Sequence, residues 1–134
     1  MSDELVVDAS ALVIALIVES EVGIRAAERI SQSTCHAPHL IDAEVGSVLR
    51  KKERQGAIKT DRGVAALRMA TLLVDQRYVH HGPLAADAWE LRHTISFYDA
   101  LYAALAARLE VPLLTADARL AKAPGLPCRV ELLN

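Results

Sequence analysis

The sequence predicts an α/β fold in which a short central parallel sheet is surrounded by helices. Short apolar runs alternate with longer segments of helical periodicity, which is the pattern of strands joined by crossover helices. The apolar runs contain few polar residues, as expected of strands that are covered on both faces. Hydrophobic residues make up 52% of the 134 residues and charged residues 24%. We therefore expect one packed domain spanning residues 1–134.

Local patterns predict the elements in order along the chain. Residues 4–8, ELVVD, predict a buried strand, and the apolar residues after it predict a helix over 10–18. Val22, Ala26 and Ile30 are four residues apart, which predicts the buried face of a helix over 20–31. The remaining predicted elements are a strand at 34–37 that ends at Pro38, a helix over 39–55 that stops at Gly56, a helix capped by Thr60 with Val64, Leu67 and Leu72 facing inward, a strand at 78–81, helices at 84–93 and 96–109, a strand at 112–115, a short helix at 117–123 and a last strand at 128–133.

The composition argues against several classes of protein. A net charge of −2, from 15 basic and 17 acidic residues, argues against binding nucleic acid by bulk charge. One Phe, one Trp and three Tyr predict no stacking platform for single-stranded nucleic acid. Cys35 and Cys128 form no CxxC pair, so we expect two buried, reduced thiols rather than a zinc site. The apolar run at 9–18 is too short to span a bilayer and follows acidic residues, so we expect a cytoplasmic protein with no membrane partner.

Four acidic residues are candidates for a catalytic or metal-binding site. Asp8 ends the first predicted strand and Asp117 follows the strand at 112–115. Both are therefore expected at the carboxyl edge of the sheet, where open α/β proteins bind their ligands. Glu44 lies on an apolar helix face with no Lys or Arg three or four residues away, which is costly for an ionised carboxylate. Asp99 lies in the nearly uncharged helix over 96–109.

Taken singly, most of these acids also have a structural explanation. Asp8 and Asp117 each precede a helix and match N-caps, and Ser96 with Asp99 matches a capping box. Taken together, four carboxylates at one edge, without a nearby cationic side chain, require an external cation. Oxygen ligands select a hard ion such as Mg²⁺ or Mn²⁺, and such an ion assists the attack of water on phosphorus. The residues therefore predict metal-assisted hydrolysis of a phosphodiester.

Four segments resemble the motifs of PIN domains: VVDAS at 6–10, DAEVGSVLR at 42–50, FYDALYAALA at 97–106 and LLTADARL at 113–120. Their order and spacing are similar to those of VapC-type toxins of bacterial toxin–antitoxin pairs, and the resemblance covers essentially the whole chain. It implies a PIN-like fold and an endoribonuclease that depends on Mg²⁺ or Mn²⁺. By this resemblance Asp8, Glu44, Asp99 and Asp117 match the acidic residues of the family, and Ser10 and Thr115 match its supporting hydroxyls.

The second motif departs most from the family pattern. Ser47 stands where an Asn is acceptable among relatives, and Asp42 is a competing acid that we interpret as a solvated residue of a first helical turn. We expect Asp8 and Asp99 to bind the metal directly, and Glu44 and Asp117 to bind it directly or through water. A metal-bound water then attacks the phosphate in line, and the resemblance implies a 5′-phosphate product. The five histidines match no motif position and are not expected to be ligands.

The expected contacts with RNA and with partner proteins lie outside the acidic residues. Residues 50–62 carry six basic residues against two acidic ones, a net +4, so Arg50, Lys51, Lys52 and Arg54 are candidate RNA contacts. The alternative is a solvated helix end whose cations match the helix dipole. The resemblance also implies a homodimer that is silenced by a cognate VapB-type antitoxin, whose basic side chain enters the acidic site.

Two other interpretations of the function stay open. One is a non-catalytic PIN scaffold that binds protein. The other is a metal-dependent phosphatase or a receiver-type domain for phosphoryl transfer. The phosphatase pattern has two aspartates after the first strand, where this chain has Asp8-Ala9-Ser10, and the receiver pattern has a Lys near the last strands, where this chain has Asp117-Ala118-Arg119.

Overall fold

The computed structural model describes residues 3–134, which form a five-stranded, all-parallel sheet and seven helices packed around it. The order of strands in the sheet is β3-β2-β1-β4-β5. The strands are β1 (Asp3–Val7), β2 (Ser33–Pro38), β3 (Gln76–Tyr78), β4 (Leu113–Thr115) and β5 (Val130–Leu132). The helices are α1 (Ala9–Ile17), α2 (Glu21–Ser31), α3 (Leu40–Arg54), α4 (Thr60–Leu73), α5 (Pro83–Trp89), α6 (Phe97–Leu109) and α7 (Ala118–Ala121). The predicted α/β class is confirmed.

The first strand is the central one. Leu5, Val6 and Val7 are fully buried, as their apolar run predicts for a strand covered on both faces. Strand β1 pairs with β2 on one side and with β4 on the other, all in parallel. The backbone N–H of Asp8 donates to the carbonyl oxygen of Leu114 at 3.1 Å, so the residues that follow β1 and β4 lie side by side. This edge of the sheet is where the candidate acids meet.

Helix α6 is the most deeply buried helix of the fold. Residues 100–106 are all buried, and four of these seven are alanines. Small side chains let the helix pack closely on the sheet, where it contacts β1, β2 and β4. The core is aliphatic, as the composition predicts, with Tyr102 buried among Ala, Leu, Val and Ile. The first turn of α6 reaches the carboxyl edge of the sheet and carries Asp99.

The prediction for the inner face of α4 is wrong. Val64, Leu67 and Leu72 are 46%, 49% and 74% exposed, and Ala66 and Ala70 are buried instead. The helix packs against α1 and α3 through its small side chains, so its larger aliphatic residues point outward. The helix also begins differently from the prediction. Lys59 is its N-cap, and the Thr60 hydroxyl donates to the Glu53 carboxylate at 3.2 Å instead of capping the helix.

The predicted strand at 78–81 is displaced. Strand β3 ends at Tyr78, which pairs with Pro38, the last residue of β2. Because β2 ends there, His80 and His81 have no strand to pair with and are exposed. Helix α5 is also shorter than predicted. It ends at Trp89, and the chain continues as turns held by bonds such as Leu91 N–H to Ala88 O at 3.0 Å.

Two expectations from composition concern the cysteines and the membrane. Cys35 is buried and Cys128 is half-buried, and both are free thiols. Burial raises the pKa of the Cys35 thiol to about 12, so it stays protonated and unreactive at neutral pH. Over residues 3–134, no helix is long and apolar enough to cross a membrane.

Candidate active site

One pocket at the carboxyl edge of the sheet brings together all four predicted acids. Asp8, Glu44, Asp99 and Asp117 line a cavity of about 300 Å³ together with Ser10, Ser47 and Tyr102. The four acids come from different parts of the chain: the start of α1, the second turn of α3, the first turn of α6 and the start of α7. Parallel topology accounts for this convergence, because the strands all end at the same edge.

Asp8 is the most buried of the four acids, at 6% exposure. Its Oδ1 accepts hydrogen bonds from the Ser10 hydroxyl at 2.6 Å and from the Ala11 N–H at 2.9 Å, and its Oδ2 accepts one from the Thr115 hydroxyl at 2.5 Å. The bond from Ala11 makes Asp8 the N-cap of α1. Asp8 therefore both caps α1 and lines the pocket.

The protons of the two supporting hydroxyls are directed by backbone amides. The Ser10 oxygen accepts from the Ala116 N–H at 3.0 Å, and the Thr115 oxygen accepts from the Asp117 N–H at 3.0 Å. Since an amide N–H can only donate, each hydroxyl keeps its own proton for Asp8. Both hydroxyls thus favour the ionised form of the Asp8 carboxyl group. Thr115 is fully buried behind Asp8, whereas Ser10 reaches the pocket.

Glu44 has a partner that the sequence did not reveal. The Tyr102 hydroxyl donates to Glu44 Oε1 at 2.6 Å, and Tyr102 itself is only 1% exposed. This bond satisfies a half-buried carboxylate without a cation. Tyr102 lies three residues after Asp99, on the same face of α6. That spacing is the signal that assigns Tyr102 to the pocket, but a tyrosine within an apolar helix is also an ordinary core residue.

Asp99 and Asp117 combine capping contacts with pocket positions. Ser96 is the N-cap of α6 and accepts a hydrogen bond from the Asp99 N–H at 3.1 Å, which is half of the predicted capping box. Asp117 is the N-cap of α7 and accepts from the Arg119 N–H at 2.9 Å. In both residues the capping contact positions the backbone, and the carboxyl group still lines the cavity.

The electrostatics of the pocket favour protonation of its acids. Burial raises the pKa of Asp8, Glu44 and Asp99 above their ordinary values, and a neighbouring carboxylate raises each one further. For Glu44 those neighbours are Asp99 and Asp8, and for Asp99 the neighbour is Asp117. The pKa of Tyr102 is also raised, by burial and by its bond to Glu44. These mutual effects show that the four acids share one electrostatic environment.

The expectation that no cation lies near the acids is wrong in one respect. Arg119 Nε lies 3.8 Å from Asp117 Oδ1, but the Arg119 side chain is 95% exposed. An ion pair of this length and exposure contributes little. Arg119 lowers the pKa of Asp99, but its effect is the smallest of those that act on this carboxyl group. The acids of the pocket thus remain a largely uncompensated negative charge.

The donor set of the pocket fits a hard divalent cation. Its ligands are carboxylates and hydroxyls, and Mg²⁺ and Mn²⁺ prefer oxygen. Across the described part of the chain, no three His, Cys, Asp or Glu side chains are close enough together to hold a metal ion by themselves. Mg²⁺ typically keeps several waters and takes only one or two carboxylates directly. The spread of the four acids is therefore compatible with a partly hydrated ion.

Several other candidate residues lie away from the pocket. Asp42 forms a two-pronged ion pair with Arg77, with contacts of 2.7 and 2.9 Å, so it is paired rather than simply solvated. His36 is buried between Glu4 and Tyr78, each at 2.8 Å, which is a structural role. The basic residues 50–54 occupy the end of α3 and do not line the acidic pocket.

Three of the five aromatic residues are exposed, although the composition predicts no stacking platform. Trp89, Phe97 and Tyr98 are 56%, 40% and 60% exposed. Trp89 and Phe97 pack edge to face, with ring centroids 6.4 Å apart, and the Arg92 guanidinium lies 4.9 Å from the centre of the Trp89 ring. An exposed aromatic cluster thus exists where α5 connects to α6, although the chain has only five aromatic residues.

The fold and the pocket define a class of protein, and comparison with known proteins agrees. Residues 5–126 match the family described as the PIN domain. Ribonuclease VapC1 of Mycobacterium tuberculosis (strain ATCC 25618 / H37Rv) is 48% identical over 132 residues, which cover 98% of this chain and 99% of that protein. The chain therefore belongs to the PIN-domain family, in its VapC group, as the motif resemblance predicts.

Two solved structures show the same fold. The crystal structure of PAE2754 from Pyrobaculum aerophilum superposes with a TM-score of 0.65 at 28% identity, covering 94% of this chain and 90% of that chain. The crystal structure of VapBC2 from Rickettsia felis, bound to a DNA fragment from its promoter, superposes with a TM-score of 0.71 at 15% identity, covering 98% of this chain and 99% of that chain.

Proposed function

We propose that this chain, as one PIN domain over residues 1–134, is the toxin of a VapBC-type pair: a metal-dependent endoribonuclease that hydrolyses RNA phosphodiester bonds. The observation that carries the proposal is the convergence of Asp8, Glu44, Asp99 and Asp117 in one pocket. The similarity to a protein named Ribonuclease VapC1 over nearly the full length of both chains supports it. We expect it to act in the cytoplasm, where its RNA substrate is.

Asp8 and Asp99 would hold Mg²⁺ or Mn²⁺ directly, and Glu44 and Asp117 would hold it directly or through water. When bound, such an ion neutralises charge on the phosphate and lowers the pKa of a coordinated water. Ser10 and Thr115 favour the ionised form of Asp8, because their protons are directed at its carboxylate. The Tyr102 hydroxyl likewise donates to the Glu44 carboxylate.

The chain positions the reaction without a histidine or lysine base. A pocket carboxylate accepts a proton from the attacking water, which approaches phosphorus in line with the leaving 3′-oxygen. The bond from phosphorus to the 3′-oxygen breaks, that oxygen takes up a proton from solvent, and the products are a 3′-hydroxyl and a 5′-phosphate. The raised pKa values of Asp8, Glu44 and Asp99 belong to the pocket without a cation, and a bound cation favours their ionised forms.

The test uses purified, antitoxin-free protein and structured RNA, with Mg²⁺, with Mn²⁺ or with a chelator. We expect cleavage only with the divalent ion, and a loss of about a hundredfold or more in Asp8→Asn and in Asp99→Asn. Cleavage that persists in chelator or in both variants contradicts the metal mechanism. A folded wild type that cuts no RNA favours a binding module, and hydrolysis of a phosphomonoester instead favours a phosphatase.

Partner binding is a second part of the proposal. The exposed aliphatic residues of α4, which are Val64, Leu67 and Leu72, offer an apolar surface for a VapB-type antitoxin or for a second copy of the chain. A basic side chain of the antitoxin would fit the uncompensated acidic pocket. Co-purification with the protein encoded next to this gene, and inhibition of cleavage by it, are the expected results. Cleavage unaffected by a bound antitoxin contradicts this part.

The basic segment at the end of α3 remains a proposed RNA contact. Arg50, Lys51, Lys52 and Arg54 form no ion pair with other groups in residues 3–134. We expect Lys51→Ala combined with Lys52→Ala to weaken RNA binding and to reduce its dependence on salt. If the double variant binds RNA with the same affinity and salt dependence as the wild type, these residues contribute only to solubility.

A further inference from the structure

A second groove adjoins the acidic pocket and shares two of its acids. It has a volume of about 540 Å³ and is bounded by Asp99 and Asp117 on the side of the pocket. Its far side is formed by the end of α7 and by the residues that follow, up to Pro124. Residues 94–96, just before α6, form another wall. The groove is therefore a continuation of the candidate active site along the protein surface.

The groove carries two cations that are available for a ligand. Arg119 has only the 3.8 Å contact with Asp117, whereas Arg62 and Arg77 hold their carboxylates at 2.8 Å or less. Lys122 ends α7, is exposed and forms no ion pair with another described residue. Ser96 also lines the groove, and its hydroxyl oxygen accepts a bond from the Asp99 N–H.

We propose that this groove binds the RNA strand next to the cleavage position, with Arg119 and Lys122 holding the phosphate that neighbours the scissile one. This inference rests on the proposed function for its substrate. The pocket is lined by four carboxylates and no cation, whereas the groove adds two cations, Arg119 and Lys122, beyond the two acids that it shares with the pocket. A strand whose scissile phosphate lies in the pocket with a divalent ion meets positive charge at its next phosphate. The ligand chemistry is a phosphodiester backbone, and the recognition does not depend on base sequence.

The groove is better placed for this role than the basic end of α3. One helical residue advances 1.5 Å, so residues 50–54 lie roughly 9–15 Å along the axis from Glu44. Arg119, in contrast, is two residues from Asp117 and lines the adjoining groove. We therefore assign the contact nearest to the reacting phosphate to α7, and a more distant electrostatic contact to α3.

The test measures binding without cleavage. The full-length protein with Asp8→Asn is titrated, in chelator, into a short fluorescein-labelled oligoribonucleotide, and anisotropy is followed at several salt concentrations. Adding Arg119→Ala and Lys122→Ala should weaken binding about fivefold for each lost cation. The slope of log affinity against log salt should fall by about 0.7 for each lost phosphate contact. Arg119→Lys with Lys122→Arg keeps both charges and should retain most of the binding.

A matched control removes the same charge elsewhere. Arg68 is exposed on α4, and Arg129 is exposed just before β5, at the opposite edge of the sheet. Arg68→Ala with Arg129→Ala should leave the affinity within about twofold of its starting value, because screening limits long-range effects. Equal losses in the two double variants overturn the groove proposal, since net charge alone then explains the binding.

The remaining outcomes separate this proposal from the proposed function. If the wild type cleaves RNA with Mg²⁺ but the groove variants bind and cleave like the wild type, the groove proposal is wrong and the nuclease proposal stands. If the wild type cuts no RNA but binding depends on Arg119 and Lys122, the groove binds RNA and the nuclease proposal fails. If the variants lose only antitoxin binding, the groove is a protein contact and the proposal is overturned.

Discussion

Asp8 shows how one residue serves both the fold and the site. It accepts three hydrogen bonds that favour its ionised form, yet burial still raises the pKa of its carboxyl group. The bond from Ala11 caps α1, and the bonds from Ser10 and Thr115 fix the carboxylate at the end of β1. Asp8 therefore both caps a helix and lines the candidate pocket, so its capping role does not argue against a role in the site. The same holds for Asp117 in α7.

The sequence predicted Asp8 and Asp117 because each follows a predicted strand, and it predicted Glu44 and Asp99 because each is an acid in an otherwise apolar helical segment. It did not predict Tyr102, because its hydroxyl contact with Glu44 joins α6 to α3 across 58 positions of the chain. No local pattern reports a contact of that range. The apolar neighbours of Glu44 on α3 were the correct clue that something must satisfy its charge, and the structure supplies a phenol rather than a cation.

Replacing Asp99 by Asn should stabilise the metal-free protein. Burial, followed by the neighbouring Asp117, raises the pKa of Asp99 above its ordinary value of 3.8. The native state therefore binds a proton on Asp99 more tightly than the unfolded state does. Protonated Asp99 stabilises the fold at low pH, and this stabilisation is lost as the pH rises through the pKa of Asp99 in the native state. At neutral pH the free energy of unfolding of Asp99→Asn should exceed that of the wild type by about 0.5–2 kcal/mol.

Urea unfolding in chelator, repeated from acidic to neutral pH, checks this prediction. The advantage of Asp99→Asn should grow as the pH increases. Glu28→Gln removes one negative charge from an exposed position on α2 and serves as the control. A wild type that is more stable than Asp99→Asn at neutral pH shows that the acid does not oppose folding.

Replacing Tyr102 by Phe should destabilise the protein and alter Glu44. The lost hydroxyl leaves a half-buried carboxylate without its donor, which should lower the free energy of unfolding by about 1–3 kcal/mol. Since this bond lowers the pKa of Glu44, its removal should raise that pKa further. Tyr98→Phe, at an exposed tyrosine of the same helix, should change stability by less than about 0.5 kcal/mol.

Denaturant unfolding of both variants and an NMR titration of the Glu44 carboxyl group provide the measurements. Equal stability of the two Tyr→Phe variants shows that the bond to Glu44 contributes nothing to folding. An unchanged Glu44 titration shows that the hydroxyl does not act on its charge.

At the scale of elements, contacts between helix backbones determine which substitutions a position tolerates. Helix α2 packs against α1, and Gly23 lies where the two meet. A Cβ at this position would lie 1.8 Å from the carbonyl oxygen of Val18, which is the C-cap of α1. Gly46 on α3, in contrast, has no atom within 4 Å of such a Cβ apart from its chain neighbours and the backbone of its own helix. Two glycines within helices thus have opposite environments.

Alanine substitutions at these glycines should therefore have opposite signs. Ala stabilises an open helical position by up to about 1 kcal/mol relative to Gly, so Gly46→Ala should raise the free energy of unfolding. Gly23→Ala should lower it by about 1–3 kcal/mol, because α1 and α2 must separate to admit the methyl group. Thermal and urea unfolding compare the two variants. If Gly23→Ala raises the free energy of unfolding, α1 and α2 separate at little cost and the prediction is wrong.

Helix periodicity predicted the existence of every helix but not the buried face of α4. On that helix the close approach of α1 and α3 selects the alanines at 66 and 70 for burial, and the larger Val64 and Leu67 face outward. Large apolar residues at helical spacing mark the face of a helix whose burial is favourable. Either the core of the same chain or a partner protein can bury that face. The error at α4 and the proposed partner surface have the same origin.

At the scale of the whole molecule, the site concentrates like charge that a cation should relieve. A divalent ion that binds the native pocket and not the unfolded chain stabilises the fold by mass action, by about 2.7 kcal/mol when the ion is at a hundredfold its Kd. Adding Mg²⁺ or Mn²⁺ should therefore raise the Tm at neutral pH, and the rise should shrink at acidic pH, where protons compete for the carboxylates.

Thermal unfolding with and without the ion measures this effect, with Asp8→Asn as the comparison. The variant should lose most of the increase in Tm, because it lacks a proposed direct ligand. An equal increase in both proteins indicates that the ion binds elsewhere on the surface, and no increase at millimolar ion shows that the pocket binds it weakly or not at all.

The central position of β1 has a consequence for the synthesis of this protein. Strand β1 leaves the ribosome before its partner β4 and before Asp117, which follow more than a hundred residues later. Until then Asp8 lacks both Thr115 and the sheet edge on which it faces the other acids. The pocket with its four acids therefore cannot form on the nascent chain before residue 117 has emerged from the ribosome.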